Sequence, residues 1–90
     1  MISGKTSTGF AWTIEDDNFA DDYELLEILR ELNKDKSAVV EAVEYVLGEP
    51  QARALKEHLR ERDDRHKVRA TEVEREFKEI FEGVAALKNS

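Results

Sequence analysis

One amphipathic segment organises this chain, and it reads Asp21-Asp22-Tyr23-Glu24-Leu25-Leu26-Glu27-Ile28-Leu29-Arg30-Glu31-Leu32-Asn33. Four apolar residues recur at i, i+3, i+4 and i+7, which places them on one face of a helix: Leu25, Ile28, Leu29 and Leu32. Asp21 is the predicted N-cap, with Glu24 three residues later as in a capping box, and Asn33 is the predicted C-cap. Leu26 lies at the edge of the apolar stripe and widens it beyond what one partner helix covers.

Length and composition indicate one small folded domain spanning residues 1–90. The chain is 40% hydrophobic and 39% charged, which is a folding composition rather than a disordered one. It contains no cysteine, so a disulfide framework and a thiolate metal site are excluded. No apolar run approaches the roughly 18–20 residues that cross a bilayer. The first residues lack the apolar core of a signal peptide, and we therefore expect an unexported protein.

The net charge of −7 is unevenly distributed along the chain. Residues 1–49 hold 12 acidic and 4 basic residues, whereas residues 50–90 hold 9 acidic and 10 basic residues. An acidic first half disfavours nucleic acid as a partner, because binding to phosphates depends on Lys and Arg. The charge is typical of a solvated acidic surface, and it also suits a basic partner.

The N-terminal region contains the one strand signal of the sequence. Residues 1–7 are small and polar, and we expect them to be frayed and flexible. In residues 8–15 the large apolar side chains alternate, so Phe10, Trp12 and Ile14 share one face of an extended or β arm. A strand requires a hydrogen-bonding partner, which is either the flanking N-terminal segment or a second copy of the protein. The other interpretation is an extended arm packed on the helices.

If another copy or a different partner supplies the pairing, the size of the assembly depends on this segment. Residues 8–15 would then be an adhesive edge, and deleting residues 1–15 would reduce the size of the oligomer while leaving the helices intact.

The segment Asp16-Asp17-Asn18 follows the predicted strand. It is predicted to turn the chain so that Phe19 packs under the first helix.

The remainder of the chain is predicted to be helical. The second helix spans 37–47, with Ser37 as its N-cap, Gly48 as its stop and Val40 at the margin of its apolar stripe. Pro50 opens a third helix. The charged residues from 60 to 67 fit either a loop near 63–70 or the middle of one long helix from 50 to 88, and the capping box beginning at Thr71 favours a break.

The last helix, from about residue 72 to 87, carries the strongest apolar stripe, formed by Val73, Phe77, Ile80, Val84 and Leu87 with Phe81 beside it. Phe77 and Phe81 are one turn apart and are predicted to anchor the core. The fold class is therefore mainly α, a small bundle of about four helices with an N-terminal extended or β segment.

Residues suited to catalysis or metal binding are scarce. His58 and His66 are eight residues apart in a charged region, which is typical of solvated surface histidines rather than of a zinc site with three or four ligands. The nucleophile and phosphate-loop motifs are absent, so we expect a non-enzymatic protein without a cofactor. The basic residues of the segment 53–69 are interleaved with acids and lack an aromatic neighbour, which makes a small nucleic-acid-associated regulator the weaker alternative.

Several segments together resemble one family. They are Thr8-Gly9-Phe10-x-Trp12-x-Ile14, Asp21-Asp22-Tyr23-Glu24-Leu25-Leu26-Glu27, Leu47-Gly48-x-x-Gln51, Leu55-Lys56-Glu57-His58-Leu59-Arg60 and Ala86-Leu87-Lys88-Asn89-Ser90. In order and spacing they are similar to the small tail assembly chaperones of long-tailed, siphovirus-type bacteriophages and prophages. Each segment is an ordinary capped helix or strand, and the resemblance rests on their combination across most of the chain.

The resemblance implies a binding role without catalysis. Chaperones of this family hold the tape measure protein soluble until the tail tube protein polymerises around it, and they act in the cytoplasm of the bacterial host rather than in the mature virion. The family assigns no contact residues. From the stripe edges and the unpaired strand, we predict contacts with the client, or with another copy in a homo-oligomer, at Phe10, Trp12, Ile14, Leu26 and Val40.

Overall fold

The computed structural model describes residues 1–15, 19–63 and 67–88. Within these ranges the chain forms two strands and four α-helices: β1 (Ile2–Lys5), β2 (Ala11–Ile14), α1 (Tyr23–Lys34), α2 (Val39–Leu47), α3 (Glu49–Asp63) and α4 (Ala70–Lys88). This architecture confirms the predicted helical fold with an N-terminal β segment. The chain leaves α3 at Asp63 and enters α4 at Ala70, which confirms two helices rather than one long helix.

The N-terminal residues form a hairpin, and the prediction that residues 1–7 are frayed is wrong. β1 pairs antiparallel with β2, with Ile2 opposite Ile14 and Lys5 opposite Ala11. Thr6 and Gly9 close the turn through a 2.9 Å bond from the Gly9 N–H to the Thr6 carbonyl, and Gly9 has a φ of 94°. Because the backbone groups of β2 need partners, the flanking segment takes the place that a second copy would fill.

The hairpin is part of the core rather than an arm on its surface. Phe10, Trp12 and Ile14 are all nearly inaccessible to solvent and pack with the buried side chains of the helices. The sequence pattern correctly indicated that they share one face, but the expectation that this face stays unpaired is wrong. A domain of this size has few large apolar side chains, so it buries these three against its helices.

Gln51 of α3 closes the outer edge of β2 at Thr13. Its side-chain oxygen accepts the Thr13 N–H at 2.8 Å, and its side-chain nitrogen donates to the Thr13 carbonyl at 2.7 Å. The same nitrogen donates to the Leu47 carbonyl at 2.8 Å, near the end of α2. The amide thus takes the place of a neighbouring strand at this residue, and it ties the sheet to the turn between α2 and α3.

Trp12 lies between two glycines, Gly4 on β1 and Gly83 on α4. A Cβ placed on Gly4 would lie 2.5 Å from Cζ2 of the indole, and one on Gly83 would lie 3.0 Å from the same atom. Neither position leaves room for a methyl group unless the indole moves. The two glycines therefore allow the hairpin to dock closely on α4.

Gly4→Ala is expected to lower the free energy of unfolding by about 1–3 kcal/mol, the usual effect of overpacking a core. Lys5→Ala on the exposed face of the same strand is the control, and it should stay within about 0.5 kcal/mol of wild type. Urea unfolding followed by circular dichroism measures both variants. Equal stabilities for the two variants would show that the indole moves without cost.

The caps of α1 differ from the predicted ones by one or two residues. Asp22 rather than Asp21 is the N-cap, since its carboxylate accepts the Leu25 N–H at 3.1 Å. Asp35 rather than Asn33 is the C-cap. Asp21 instead lies in a short 3₁₀ turn that begins at Phe19. The predicted stripe itself is confirmed, because Leu25 and Ile28 are buried and the other two leucines are half-buried.

Two further helix starts were predicted from side-chain caps that do not form. Ser37 lies in a 3₁₀ turn before α2, where its N–H and hydroxyl donate to Asp35 and hold the pKa of that carboxyl below its usual range. Thr71 lies inside α4, whose first amide bonds go to the Arg69 carbonyl. The Asp35 side chain thus caps the turn that leads into α2, and the Arg69 carbonyl supplies the start of α4, so neither predicted hydroxyl cap is used.

α4 contributes the centre of its predicted apolar stripe to the core. Phe77, Ile80 and Val84 are buried, whereas Leu87 is half exposed. The rings of Phe77 and Phe81 meet edge to face with centroids 4.7 Å apart, and Phe19 packs on Phe81 at the same separation. Phe19 is therefore half-buried against the core through its contact with α4, whereas the sequence predicted that it packs under the first helix. The turn predicted at 16–18 lies outside the described residues.

Candidate partner-binding groove

A groove with an apolar floor lies between α2 and α3, and the start of α4 contributes to its lining. Its volume is about 440 Å³. The floor consists of buried and half-buried apolar side chains from the three helices and from the link before α4: Val39, Val43, Ala52, Leu55, Val68 and Val73. Val40 forms part of the wall and is 61% exposed.

The exposure of Val40 is not explained by the stability of the fold. Its neighbours Val39 and Val43 face the core, and Val40 lies one position outside their stripe. A β-branched side chain lowers helix propensity, and an exposed one gains little from burial. A Glu or Lys would suit this solvated helix position better. Val40 extends the half-buried apolar lining of the groove into one apolar surface, and such a surface can serve as a contact site.

Charged side chains line the rim of the groove on both sides. Glu44 stands on α2, one turn after Val40. On α3, Glu49 and Arg53 form an ion pair of 3.3 Å, and Lys56 follows one turn later. An apolar floor between charged rims can hold an amphipathic segment, because both parts of such a segment meet a matching surface.

The structure separates the five residues predicted to contact a partner. Phe10, Trp12 and Ile14 are buried in the core, so their predicted role as an exposed partner-binding face is wrong in this fold. Leu26 is 49% exposed on α1, and Val40 lies in the groove. Of the five predicted contact residues, Val40 alone lines the groove.

A second cavity of about 460 Å³ lies between the end of β2, Phe19 and the second half of α2. Four of its polar residues already form hydrogen bonds within the protein, and they are Thr13, Asp22, Tyr45 and Gln51. The Tyr45 hydroxyl lies 2.9 Å from both carboxylate oxygens of Asp22, the N-cap of α1, and Gln51 holds Thr13. These contacts join α1, α2 and the hairpin, so they serve the fold.

His58 is half-buried, which contradicts its predicted place on the solvated surface. Its Nε2 lies 3.1 Å from the Thr8 hydroxyl, and its ring packs 5.7 Å from that of Phe10. The other histidine, His66, lies outside the described residues. In the part of the chain that the structure describes, no three His, Asp or Glu side chains converge as a metal site.

Glu76 is a buried carboxylate that sequence reasoning missed. It is 1% exposed and accepts hydrogen bonds from the Thr6 hydroxyl at 2.7 Å and the Thr8 hydroxyl at 2.9 Å. One turn further, Glu79 accepts from the backbone N–H and hydroxyl of Ser7. These bonds fix the hairpin turn to α4. No local pattern signals a pairing across 70 residues.

The basic segment that suggested nucleic-acid binding is partly neutralised. Arg53 pairs with Glu49, and Arg60 pairs with Glu57 on the same helix. Paired cations leave fewer positive charges to contact phosphates. Across residues 1–15, 19–63 and 67–88, no helix is both long and apolar enough to cross a membrane.

Comparisons of the chain with protein-family models, with curated proteins and with solved structures find no match.

Proposed function

We propose that this chain is a non-enzymatic tail assembly chaperone, which holds the tape measure protein of a long-tailed phage soluble until the tail tube forms. The observation that carries the proposal is Val40, an exposed valine on the wall of an apolar groove. The resemblance of the sequence to small tail assembly chaperones supplies the identity of the client. The groove supplies a surface with the chemistry that such a client needs.

The physical properties of the chain suit reversible holding. A small groove buries less surface than a permanent interface, so the complex can dissociate when the tube protein competes for the client. The net charge of −7 keeps a complex with an aggregation-prone chain soluble through mutual repulsion. Leu26 on α1 is a second exposed apolar contact for a long helical client.

Co-expression with the tape measure protein of the same phage tests the proposal. Wild type is expected to raise the soluble fraction of the client. Val40→Asp is expected to fold, because the side chain is exposed, and to lose most of this effect, because a carboxylate on the wall opposes burial of an apolar client. Leu26→Glu is expected to fold and to weaken the effect as well.

The control is Ala54→Asp, an exposed position on α3 that does not line the groove. This variant should keep the client soluble as wild type does. That result would show that an added negative charge is harmful only when it lies in the groove. Circular dichroism and thermal unfolding establish that each variant is folded. If wild type does not increase client solubility at any expression ratio, the chaperone proposal is wrong.

A further inference from the structure

The groove between α2 and α3 also indicates the charge pattern of what it binds. We propose that it takes an amphipathic helix whose apolar stripe is flanked by basic residues on one side and by acidic residues on the other. This inference rests on the proposed function only in that the helix would belong to the client. Three features of the described residues support it.

The first feature is that the walls of the groove are helices. The backbone groups of α2 and α3 are bonded within these helices, so the walls offer no free row of N–H and C=O groups to an extended peptide. An occupant must therefore satisfy its own backbone groups, and a helix does so. Its apolar stripe would cover Val40 and the half-buried floor.

The second feature is the opposite charge of the two rims. Glu44 on α2 and Lys56 on α3 are exposed, and within the described ranges neither side chain forms an ion pair. Arg53 and Glu49 neutralise each other on the α3 side. The α2 rim thus presents a free acid, and the α3 rim presents a free base.

The third feature is the difference between the net charge of the groove and that of the whole chain. The four rim charges sum to zero, whereas the chain carries −7. Long-range attraction alone would favour a helix that is basic on both flanks. Contacts at the groove favour a helix with one basic and one acidic flank. Such a helix pairs with the charges of both rims in only one of its two orientations.

Three designed peptides test the inference, all with the same leucine stripe and labelled for fluorescence anisotropy. One has two acidic flanks, one has two basic flanks, and one has a basic and an acidic flank. Wild type is expected to bind the mixed peptide roughly three- to tenfold more tightly than either other peptide, as one or two exposed charge pairs would give.

Charge reversal on each rim should redirect this preference. Lys56→Glu makes both rims acidic and should prefer the peptide with two basic flanks. Glu44→Lys makes both rims basic and should prefer the peptide with two acidic flanks. The net charge of this variant is still −5, since the substitution adds two units to the −7 of the wild-type chain. A Glu44→Lys variant that still prefers the basic peptide would overturn the inference in favour of long-range attraction.

Two more variants locate the binding site. Val40→Asp should reduce the affinity for the mixed peptide at least tenfold, whereas Tyr23→Asp, a more exposed position on α1, should leave it unchanged. Unfolding measurements show whether each variant is folded. Binding that is insensitive to Val40→Asp, or a wild-type dimer that Val40→Asp separates in light scattering, would overturn the inference, the dimer by placing a second copy in the groove.

The outcomes of the peptide and co-expression experiments distinguish a wrong charge pattern from a wrong function. If wild type keeps the client soluble but shows no preference among the peptides, the proposed charge pattern is wrong and the proposed function stands. If the peptides bind as expected and the client is not kept soluble, the groove binds a helix of another protein and the proposed function is wrong.

Discussion

Deleting residues 1–15 is expected to abolish cooperative folding. The deletion removes three buried side chains, Phe10, Trp12 and Ile14, each of which contributes about 1.5–3 kcal/mol through burial. It also removes the hydroxyl groups that satisfy the buried Glu76. Together these losses approach the total stability of about 5–15 kcal/mol that is typical of a small domain. Far-ultraviolet circular dichroism during thermal unfolding should show no sigmoidal transition.

This outcome differs from what the sequence pattern suggested for the same deletion. An adhesive arm could be removed without harm to the helices, whereas a hairpin that completes the core cannot. Ala11→Ser, on the exposed face of β2, is the matched control and should unfold as wild type does. A truncated chain that keeps a sharp transition near the wild-type temperature would show that the hairpin is not part of the core.

Phe77→Ala is expected to lower the free energy of unfolding by about 3–5 kcal/mol. Phe77 is 4% exposed and lies in the main apolar cluster, and its ring supports Phe81, which in turn supports Phe19. Removal of the ring leaves a cavity that rigid helices and the hairpin fill only in part. For a domain of this size, the loss could exceed half of the total stability.

Chemical denaturation of Phe77→Ala beside Leu87→Ala measures this effect. Leu87 belongs to the same predicted stripe but is half exposed near the end of α4, so its truncation should cost less than about 1 kcal/mol. Similar losses for the two variants would show that the whole stripe, rather than its centre, is buried. If Phe77→Ala lowers the free energy of unfolding by less than about 1 kcal/mol, then Phe77 is not part of the core.

The apolar periodicity of the sequence predicted the helices well, because burial of one face is a property of each segment alone. The stripe of α1, the stripe of α4 as far as Val84, the stop at Gly48 and the break before α4 are all confirmed. Caps were predicted less well. Several adjacent residues could cap each helix, and the backbone path that selects among them depends on distant packing.

The candidate site could be predicted only in part. Val40 stood out as an apolar residue at a stripe margin, and the structure leaves it exposed. Phe10, Trp12 and Ile14 looked equally available because no local feature tells an unpaired strand from a paired one. Their burial depends on β1, on Gly4 and Gly83, and on α4.

Local chemistry in the chain thus specifies which segments are helical or extended and which face of each is apolar. The tertiary structure alone settles which apolar faces meet, since contacts such as Glu76 with Thr6 or Gln51 with Thr13 join residues 70 and 38 positions apart. Periodicity carries no information about such pairs. The groove between α2 and α3 arises in the same way, because it depends on how two helices and the start of a third are placed, and no single segment encodes that placement.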